Sequence, residues 1–387
     1  MVFLLDSSGA VHQRELSAPP QFHRPQSPPR SRLVYAAAHV VPRVSAENVP
    51  GAPADVDWDA TLAFRHHVWS WGLGVADAMD TAQRNAGLDP AATRELIRRS
   101  AAEARTCGGR LVVGVNTDHV DAEALSLREV IDAYAEQLHF AEEHGAGVVL
   151  MASRHLARAA ASPADYARVY REVLSRASAP VVLHWLGEAF APHLAGYFGS
   201  RDIATATDVV LDVIGEHVDK VRGIKLSLLD ADHERDLRSR LPAGVRLLTG
   251  DDHNYVGLIE GDGGLHSDAL LGAFAAVAPN ASAAVQALDV GDSALFRDVL
   301  GPTERLARQV FAAPTPCYKA GIAFLAWLNG HQPAYVLVGG LHSARSLPHL
   351  SELVRLADEA GALENPELAS RRWSALLAAH GITEVTR

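Results

Sequence analysis

A lysine stands alone in an apolar, strand-like run at residues 221–229, and its side chain is a candidate amine nucleophile. The two faces of a strand alternate, so Lys225 shares one face with Gly223 and Ser227. These small neighbours leave room for a carbonyl compound to reach the amine. A neutral lysine can add to a carbonyl and form a Schiff base if burial lowers its pKa from about 10.4. The alternative is that Lys225 ends a buried strand and extends its ammonium group to water.

His184 is the second residue whose position suggests chemistry. It follows the apolar run of residues 180–183, where a buried strand would end. An unperturbed histidine has a pKa of about 6.5, so it can accept and donate protons near neutral pH. We therefore predict that Lys225 and His184 are the catalytic residues.

Eight short apolar runs alternate with segments of helical periodicity, and these elements must position the two residues. The helical segments include residues 90–104, 127–143 and 163–177. This alternation predicts parallel strands with helical crossovers, and eight strands can close a (β/α)8 TIM barrel of about 250 residues. A doubly wound open sheet is the alternative, but the glycine-rich nucleotide-binding loops typical of that class are not found. The predicted strands are residues 33–40, 72–77, 110–116, 147–152, 180–185, 221–228, 245–250 and 272–278.

Three regions are predicted along the chain. Residues 1–32 form a short N-terminal extension, a hairpin followed by a Pro-rich linker. Residues 33–290 form the α/β barrel, and residues 291–387 form a C-terminal helical tail. The tail would pack on the barrel or build an oligomer interface.

A ring of polar residues follows the predicted strands at the end where TIM barrels hold their active sites. For single members the simpler role is a helix cap, a solvated loop residue or a structural histidine. Taken together they predict a substrate-binding ring above an apolar barrel. Its members are His39, Asp80, Gln83, Arg84, Asn116, Arg154, His155, Ser227, Asp251, His253 and Asn280.

The composition limits the classes of molecule that this protein is expected to bind. The chain has 387 residues, 48% hydrophobic and 21% charged, with a formal net charge of −11. The charge and the lack of dense basic runs argue against nucleic acid or an anionic membrane, which leaves a small molecule as the expected partner. Two distant cysteines give no disulfide framework, and no signal peptide or membrane-spanning run is evident, so we expect a cytoplasmic protein.

Four sequence segments resemble the dihydrodipicolinate synthase and N-acetylneuraminate lyase superfamily of class I aldolases, as a divergent branch of it. GIK at residues 223–225 is similar to the Schiff-base strand, and LTGDD at 248–252 to the end of the next strand. GAFAAVAPN at 272–280 is similar to strand eight, and PCYKA at 316–320 to the tail helix. The resemblance covers about residues 33–330.

This resemblance implies a carbon–carbon lyase or aldolase, or a related dehydratase, acting through a Schiff base on Lys225. The substrate would be a small carbonyl compound, a keto acid or a sugar-derived ketone, and no cofactor would be needed. The pyruvate-handling members carry a Thr-Thr loop where this chain has DTAQR at 80–84, and His184 replaces the family's strand-five tyrosine. We therefore expect His184 to be the proton shuttle and the substrate to differ from plain pyruvate.

A divalent metal remains an alternative, as in barrel isomerases and class II aldolases. Its ligands would come from Asp77, His184, Asp251 and His253, a mixed set that suits a Lewis-acid ion such as zinc, although no local ligand spacing supports it. The tail helices and the resemblance predict a homodimer or homotetramer.

Overall fold

Eight parallel strands close into a barrel in the computed structural model, which describes residues 1–382. A separate antiparallel hairpin, β1 (Val2–Leu5) with β2 (Val11–Arg14), precedes it. The barrel closes where the last strand pairs with the first, and this confirms the predicted (β/α)8 TIM barrel. In chain order the barrel strands are β3 (Val34–Ala37), β4 (Gly74–Asp77), β5 (Leu111–Val115), β6 (Gly147–Leu150), β7 (Val181–Leu186), β8 (Val221–Ser227), β9 (Arg246–Thr249) and β10 (Asp268–Leu271).

The helices surround the barrel and then continue into the tail. Nine lie between Trp58 and Asp289 in the described chain: α1 (Trp58–Ser70), α2 (Pro90–Cys107), α3 (Leu127–Glu143), α4 (Arg154–Ala159), α5 (Pro163–Arg176), α6 (Ile203–Glu216), α7 (Ala231–Arg240), α8 (Tyr255–Glu260) and α9 (Ala278–Asp289). The tail contributes α10 (Ser293–Val310), α11 (Tyr318–Leu328), α12 (Leu347–Glu359) and α13 (Pro366–Ala379).

Local sequence explains where several of these helices begin. Ser126 and Glu129 form a capping box at the start of α3. Asp230 accepts a hydrogen bond from His233 N at 3.0 Å and so caps α7, one of the simpler roles considered for the strand-end acids. Along α3, Val130, Tyr134 and Leu138 recur at helical spacing and are buried against the barrel.

The eighth strand differs from the prediction. It spans Asp268–Leu271, whereas residues 272–278 form a 3-10 turn and the start of α9. Alanine-rich sequence favours helix, so the apolar composition of that segment was misleading. The real strand was not recognised in the sequence because its first residue, Asp268, is charged. In the structure Asp268 pairs with Arg246 at 2.6 Å and accepts a hydrogen bond from Leu33 N at 2.7 Å.

The C-terminal tail packs on the barrel. Every residue of α11 is buried, and its first residue, Tyr318, lies at the barrel mouth. The N-terminal hairpin packs in turn on the tail, because Trp373 Nε1 donates to Phe3 O at 2.6 Å and Leu5 N donates to Ser351 Oγ at 2.9 Å. Residues 383–387 of the predicted tail lie outside the described residues. The three-region division and the homo-oligomer stay predictions.

Of the helices within residues 1–382, none combines the length and the apolar character that crossing a membrane requires.

Candidate active site

A small cavity opens at the carboxyl ends of the barrel strands, and Lys225 lines it; we call it the mouth cavity. It holds about 310 Å³ of empty space, but the centres of water-sized molecules reach only about 20 Å³ of it. That is room for about one water molecule. Its lining is Ala37, Met79, Asp80, Thr81, Leu186, Phe190, Lys225, Ser227, Asp252, Gly272, Phe311 and Tyr318.

Lys225 is buried, with 8% of its surface exposed, and its amine faces the mouth cavity. No group within residues 1–382 forms a hydrogen bond or ion pair with Nζ. Burial lowers the pKa of this amine below its usual value, while the carboxylates of Asp252 and Asp80 act in the opposite direction. A lysine in this state has the properties that a Schiff-base nucleophile needs.

Glycine at position 250 makes the space in which Lys225 and Ser227 lie. Gly250 follows β9, beside β8. A Cβ atom there would lie 2.1 Å from Ser227 Oγ and 2.7 Å from Lys225 Cε. The positions of both side chains therefore require glycine at position 250, because any other residue would place a Cβ atom in their space.

Gly250→Ala is expected to lower turnover, or the rate of adduct formation on Lys225, about 100-fold, because a shift of roughly 1 Å in a reacting group has an effect of this size. Gly257→Ala in α8 is the matched control, since its Cβ would meet only Arg235 Nη2 at 3.8 Å. The control should keep the wild-type rate. Equal rates for Gly250→Ala and wild type would contradict this account of the site.

Ser227 connects the mouth cavity to His184. His184 on β7 is level with Lys225 on β8, and its Nε2 lies 3.2 Å from Ser227 Oγ. His184 is fully buried and does not line the cavity itself. Burial, and then the charge of Lys225, lower the pKa of His184 well below its usual value, so the ring is neutral at pH 7. A neutral ring can accept the Ser227 proton or donate its own N–H.

A pair of hydroxyl groups lines the same cavity. Tyr318 at the start of α11 and Thr81 after β4 are joined by a hydrogen bond of 3.0 Å between Oη and Oγ1. Burial, together with Asp80, raises the pKa of Tyr318 well above its usual value, so this phenol stays protonated. Tyr318 also stacks on Phe311, with ring centroids 4.4 Å apart, and Phe190 packs edge-on against both rings. The three aromatic rings narrow the cavity.

Asp252 supplies a buried carboxyl group. Its Oδ1 accepts from Ala273 N at 2.8 Å, and the residue is 4% exposed. Burial raises the pKa of this carboxyl to about 7, with the backbone hydrogen bond and Lys225 opposing that rise. Asp252 therefore changes its charge near neutral pH beside the candidate nucleophile.

Of the predicted site residues, Lys225, Ser227 and Asp80 line the mouth cavity, and His184 joins it through Ser227. The other predicted residues do not line this cavity and make contacts elsewhere, so their role in substrate binding stays a prediction. Arg84 pairs with Asp118 through Nε and Oδ2 at 2.7 Å. His39 Nε2 contacts Gln332 Oε1 at 3.0 Å, and His155 Nδ1 contacts Thr117 Oγ1 at 2.8 Å.

Most of the remaining members bind backbone groups instead, and His253 takes part through its own backbone N–H. Gln83 donates to Val338 O at 2.9 Å, and Asn280, which lies in α9, donates to Ala360 O at 2.9 Å. Asn116 donates to Ala152 O at 3.5 Å, and exposed Arg154 donates to Val120 O at 3.2 Å. Asp251 accepts from His253 N at 2.9 Å. Buried strand ends need partners for loop backbone groups, and these side chains meet that need.

The alternative metal ligands do not converge within residues 1–382. Asp77 is fully buried and forms a two-pronged ion pair with Arg65 of α1, at 2.7 and 3.0 Å. His184 is directed to Ser227, and Asp251 holds the backbone of its own loop. The alternative metal set of Asp77, His184, Asp251 and His253 is therefore wrong for the described residues, because their ligand atoms form no cluster.

Sequence reasoning missed Thr81, Asp252, Phe311 and Tyr318 as site residues. Weak signals existed, because Thr81 was the one threonine left in the loop after strand two and Tyr318 stands in the PCYKA segment. Asp252 ends the LTGDD segment that carries part of the resemblance, but it was not assigned to the site. Nothing local relates Tyr318 to Thr81, since 237 residues separate them.

Comparisons with known proteins agree with this fold. A family model described as "Protein of unknown function (DUF993)" matches residues 2–382. No curated protein matches the chain in sequence.

Solved structures of dihydrodipicolinate synthases are similar in fold. That from Oceanobacillus iheyensis has a TM-score of 0.64 at 14% identity, covering 85% of this chain and 96% of its own. That from Thermotoga maritima has a TM-score of 0.64 at 16% identity, covering 86% and 99%. That from Aquifex aeolicus has a TM-score of 0.64 at 13% identity, covering 86% and 100%. This likeness confirms the predicted resemblance at the level of the fold.

Proposed function

This chain belongs to the DUF993 family, and from its mouth cavity we propose that it is a class I aldolase-type lyase acting on a small carbonyl compound. The observation that carries the proposal is the state of Lys225: its buried amine lines a cavity, has no hydrogen-bond or ion-pair partner among residues 1–382, and has a pKa that burial lowers. Burial that leaves such an amine unpaired is unfavourable unless a ligand uses it.

The proposed reaction begins with attack of neutral Lys225 Nζ on the substrate carbonyl carbon. One proton moves from the nitrogen to the carbonyl oxygen, an acid gives that oxygen a second proton, and water leaves to form the iminium. A base then removes the proton of the substrate hydroxyl, and the electron pair of the neighbouring carbon–carbon bond moves toward the positively charged nitrogen, so that one fragment leaves as a carbonyl compound and the other remains on Lys225 as an enamine. The enamine carbon takes up a proton to restore the iminium, and water hydrolyses it, which releases the second carbonyl product and restores the amine. The chemistry needs no cofactor.

The Tyr318–Thr81 pair and the Ser227–His184 pair are proposed to carry out different proton transfers. Tyr318 stays protonated because burial raises its pKa, so the Tyr318–Thr81 pair is the proposed donor to the carbonyl oxygen. The Ser227–His184 pair contains a neutral ring and can move a proton in either direction, so it is the proposed shuttle. His184 thus keeps the role predicted from the sequence, but acts through Ser227.

Charge in the cavity favours an uncharged substrate. Lys225 is the one cation among the described lining residues, and Asp80 and Asp252 are acids. A keto acid would bring its carboxylate beside these acids with no arginine to bind it. Hydroxyl groups, in contrast, would find acceptors in both carboxylates. We therefore propose a neutral hydroxyaldehyde or hydroxyketone, in preference to a keto acid.

Substrate entry requires the lining to move, because the cavity admits only about one water molecule as it stands. Leu186 lines both this cavity and a larger cleft beside β7, which holds about 1110 Å³ of empty space. Half-buried Phe190, four residues further along the chain, also lines the mouth cavity. Movement of these two side chains would join the cavity to the cleft and admit a larger molecule.

Borohydride trapping tests the proposal. The protein is incubated with dihydroxyacetone, glyceraldehyde or pyruvate, reduced with sodium borohydride and digested for mass spectrometry. We expect a reduced adduct on Lys225 with the hydroxycarbonyl compounds and less with pyruvate. Equal adducts on Lys225 and on Lys220 and Lys319, the other two lysines of the chain, would sink the Schiff-base mechanism, and a preference for pyruvate would sink the substrate class alone.

The trapping rate is expected to rise with pH, with a midpoint below 10.5, because only the neutral amine reacts and burial lowers the Lys225 pKa. The Asp252 carboxylate opposes that lowering once it is ionised, above about pH 7. Asp252→Asn removes this negative charge, so the ammonium form loses stabilisation and the midpoint should move to lower pH. Rates at a series of pH values measure the shift.

Asp230→Asn is the control, because asparagine also caps helices and Asp230 is not part of the cavity. Its midpoint should equal that of the wild type. An Asp252→Asn midpoint at higher pH would contradict the proposed electrostatics.

A further inference from the structure

Two histidines and a glutamate meet where the first helix of the barrel contacts the C-terminal tail. His67 lies in the last turn of α1, His331 follows α11, and Glu364 precedes α13. One ligand atom from each side chain lies within 4.8 Å of the other two. Among residues 1–382 this is the one such group of three or more potential metal ligands. None of its members lines the mouth cavity.

The distances in this cluster are close to those of a metal site. Glu364 Oε1 lies 2.7 Å from His331 Nε2 and 3.7 Å from His67 Nε2. The two imidazole rings have centroids 4.0 Å apart. Ligand atoms around a tetrahedral zinc ion, with bonds of about 2.0–2.2 Å, are about 3.3 Å apart. The two spacings to Glu364 Oε1 lie on either side of that value, so side-chain rotations that also separate the two rings would complete the geometry.

Surrounding contacts already hold the ligands in place. Asn329 Oδ1 accepts from Glu364 N at 3.0 Å, and Asn329 Nδ2 donates to Ala362 O at 2.9 Å. The turn that carries His331 is thereby tied to the segment that carries Glu364. Phe64 of α1 packs against His67 and His331, with ring centroids 5.9 and 5.6 Å apart. Such support around the ligands is what metal sites require.

We propose that His67, His331 and Glu364 bind a zinc ion, with water in the fourth position. Two imidazoles and one carboxylate are ligands that zinc accepts, whereas magnesium and calcium prefer oxygen donors throughout. The three ligands come from the barrel and from two separate tail segments. The ion would therefore fix the tail, which carries Tyr318, against the barrel. This inference does not depend on the proposed lyase activity.

Arg24 gives the proposal an additional test. Its guanidinium is close enough to act electrostatically on both His67 and Glu364. A positive charge beside a metal site weakens cation binding, so Arg24→Met should tighten zinc binding. A cluster held together only by hydrogen bonds would show no such effect.

Metal content and stability test the site on untagged, full-length protein treated with EDTA and then desalted. Zinc added in slight excess should remain at about one ion per chain after a second desalting step. Zinc at 100 times its dissociation constant should raise the melting temperature by about 3 °C, as expected for binding to the folded state of a chain this long. Cobalt(II) should give visible absorption bands typical of low coordination numbers.

Variants locate the ion. His331→Asn and Glu364→Gln should each weaken zinc binding 10-fold or more. His66→Asn is the matched control, because His66 neighbours His67 but pairs with Glu103 at 2.9 Å. Wild-type protein that retains no zinc and gives no cobalt bands would overturn the proposal without any variant. Zinc binding that survives both ligand substitutions would overturn it too.

Discussion

Replacing Lys225 with methionine is expected to remove the borohydride-trapped adduct and to lower turnover by about 10,000-fold. Methionine has nearly the length of lysine and suits a buried position, so the fold should persist while the nucleophile is lost. Losses of this size are typical when the group that forms the covalent intermediate is removed. Mass spectrometry of the reduced protein and steady-state rates measure the two effects.

Lys319 offers a matched control within the same region of the fold. Both lysines are 8% exposed, and burial lowers the pKa of both amines. Lys319 Nζ, however, donates to Pro316 O at 3.3 Å and lies 4.5 Å from the centre of the Tyr318 ring. Lys319→Met should therefore keep the adduct on Lys225. Two results would contradict the assignment of Lys225 as the nucleophile. One is an adduct that persists in Lys225→Met, and the other is an adduct on Lys319 in the wild type.

Asp77→Ala is expected to lower the free energy of unfolding by about 3–5 kcal/mol, because it leaves Arg65 buried without its carboxylate. Both side chains of the pair are fully buried, and Ser100 Oγ also donates to Asp77 Oδ2 at 2.6 Å. Denaturant unfolding monitored by circular dichroism measures the loss. If Asp77 were instead a metal ligand, its replacement would change metal dependence with little cost in metal-free stability.

A double variant separates an unpaired charge from a general packing defect. Arg65→Met combined with Asp77→Leu removes both charges and should recover much of the lost stability, because no buried ion is left alone. Glu136→Ala at the exposed pair with Arg94 should shift the melting temperature by no more than about 1 °C. A double variant as unstable as Asp77→Ala would contradict the explanation.

Secondary structure was largely predictable because it depends on patterns within short segments. Helices such as α2 and α3 follow from apolar spacing and caps, and seven barrel strands follow from short apolar runs. The prediction of the eighth strand failed because its first residue, Asp268, is charged. In the structure Arg246 of the neighbouring strand neutralises this charge. That compensation exists only after the barrel has closed.

The candidate site was predictable only in part. Lys225 and Ser227 share a face of one strand, a relation that the alternation of a strand fixes from sequence alone. Thr81 and Tyr318 meet through the packing of the tail on the barrel. Most members of the predicted polar ring lie outside the mouth cavity, since a polar residue at a strand end can face the cavity or bind a loop, and sequence position does not decide between these two outcomes.

The sequence by itself therefore determined the barrel, the strand that carries Lys225 and the face on which this amine lies, because each is a local consequence of periodicity. Only the tertiary structure decided which polar groups surround that amine, because the closing of the barrel and the docking of α11 bring distant segments together. The same docking brings His67, His331 and Glu364 into one cluster. Partners chosen by packing across more than 200 residues leave no periodic signal in the chain.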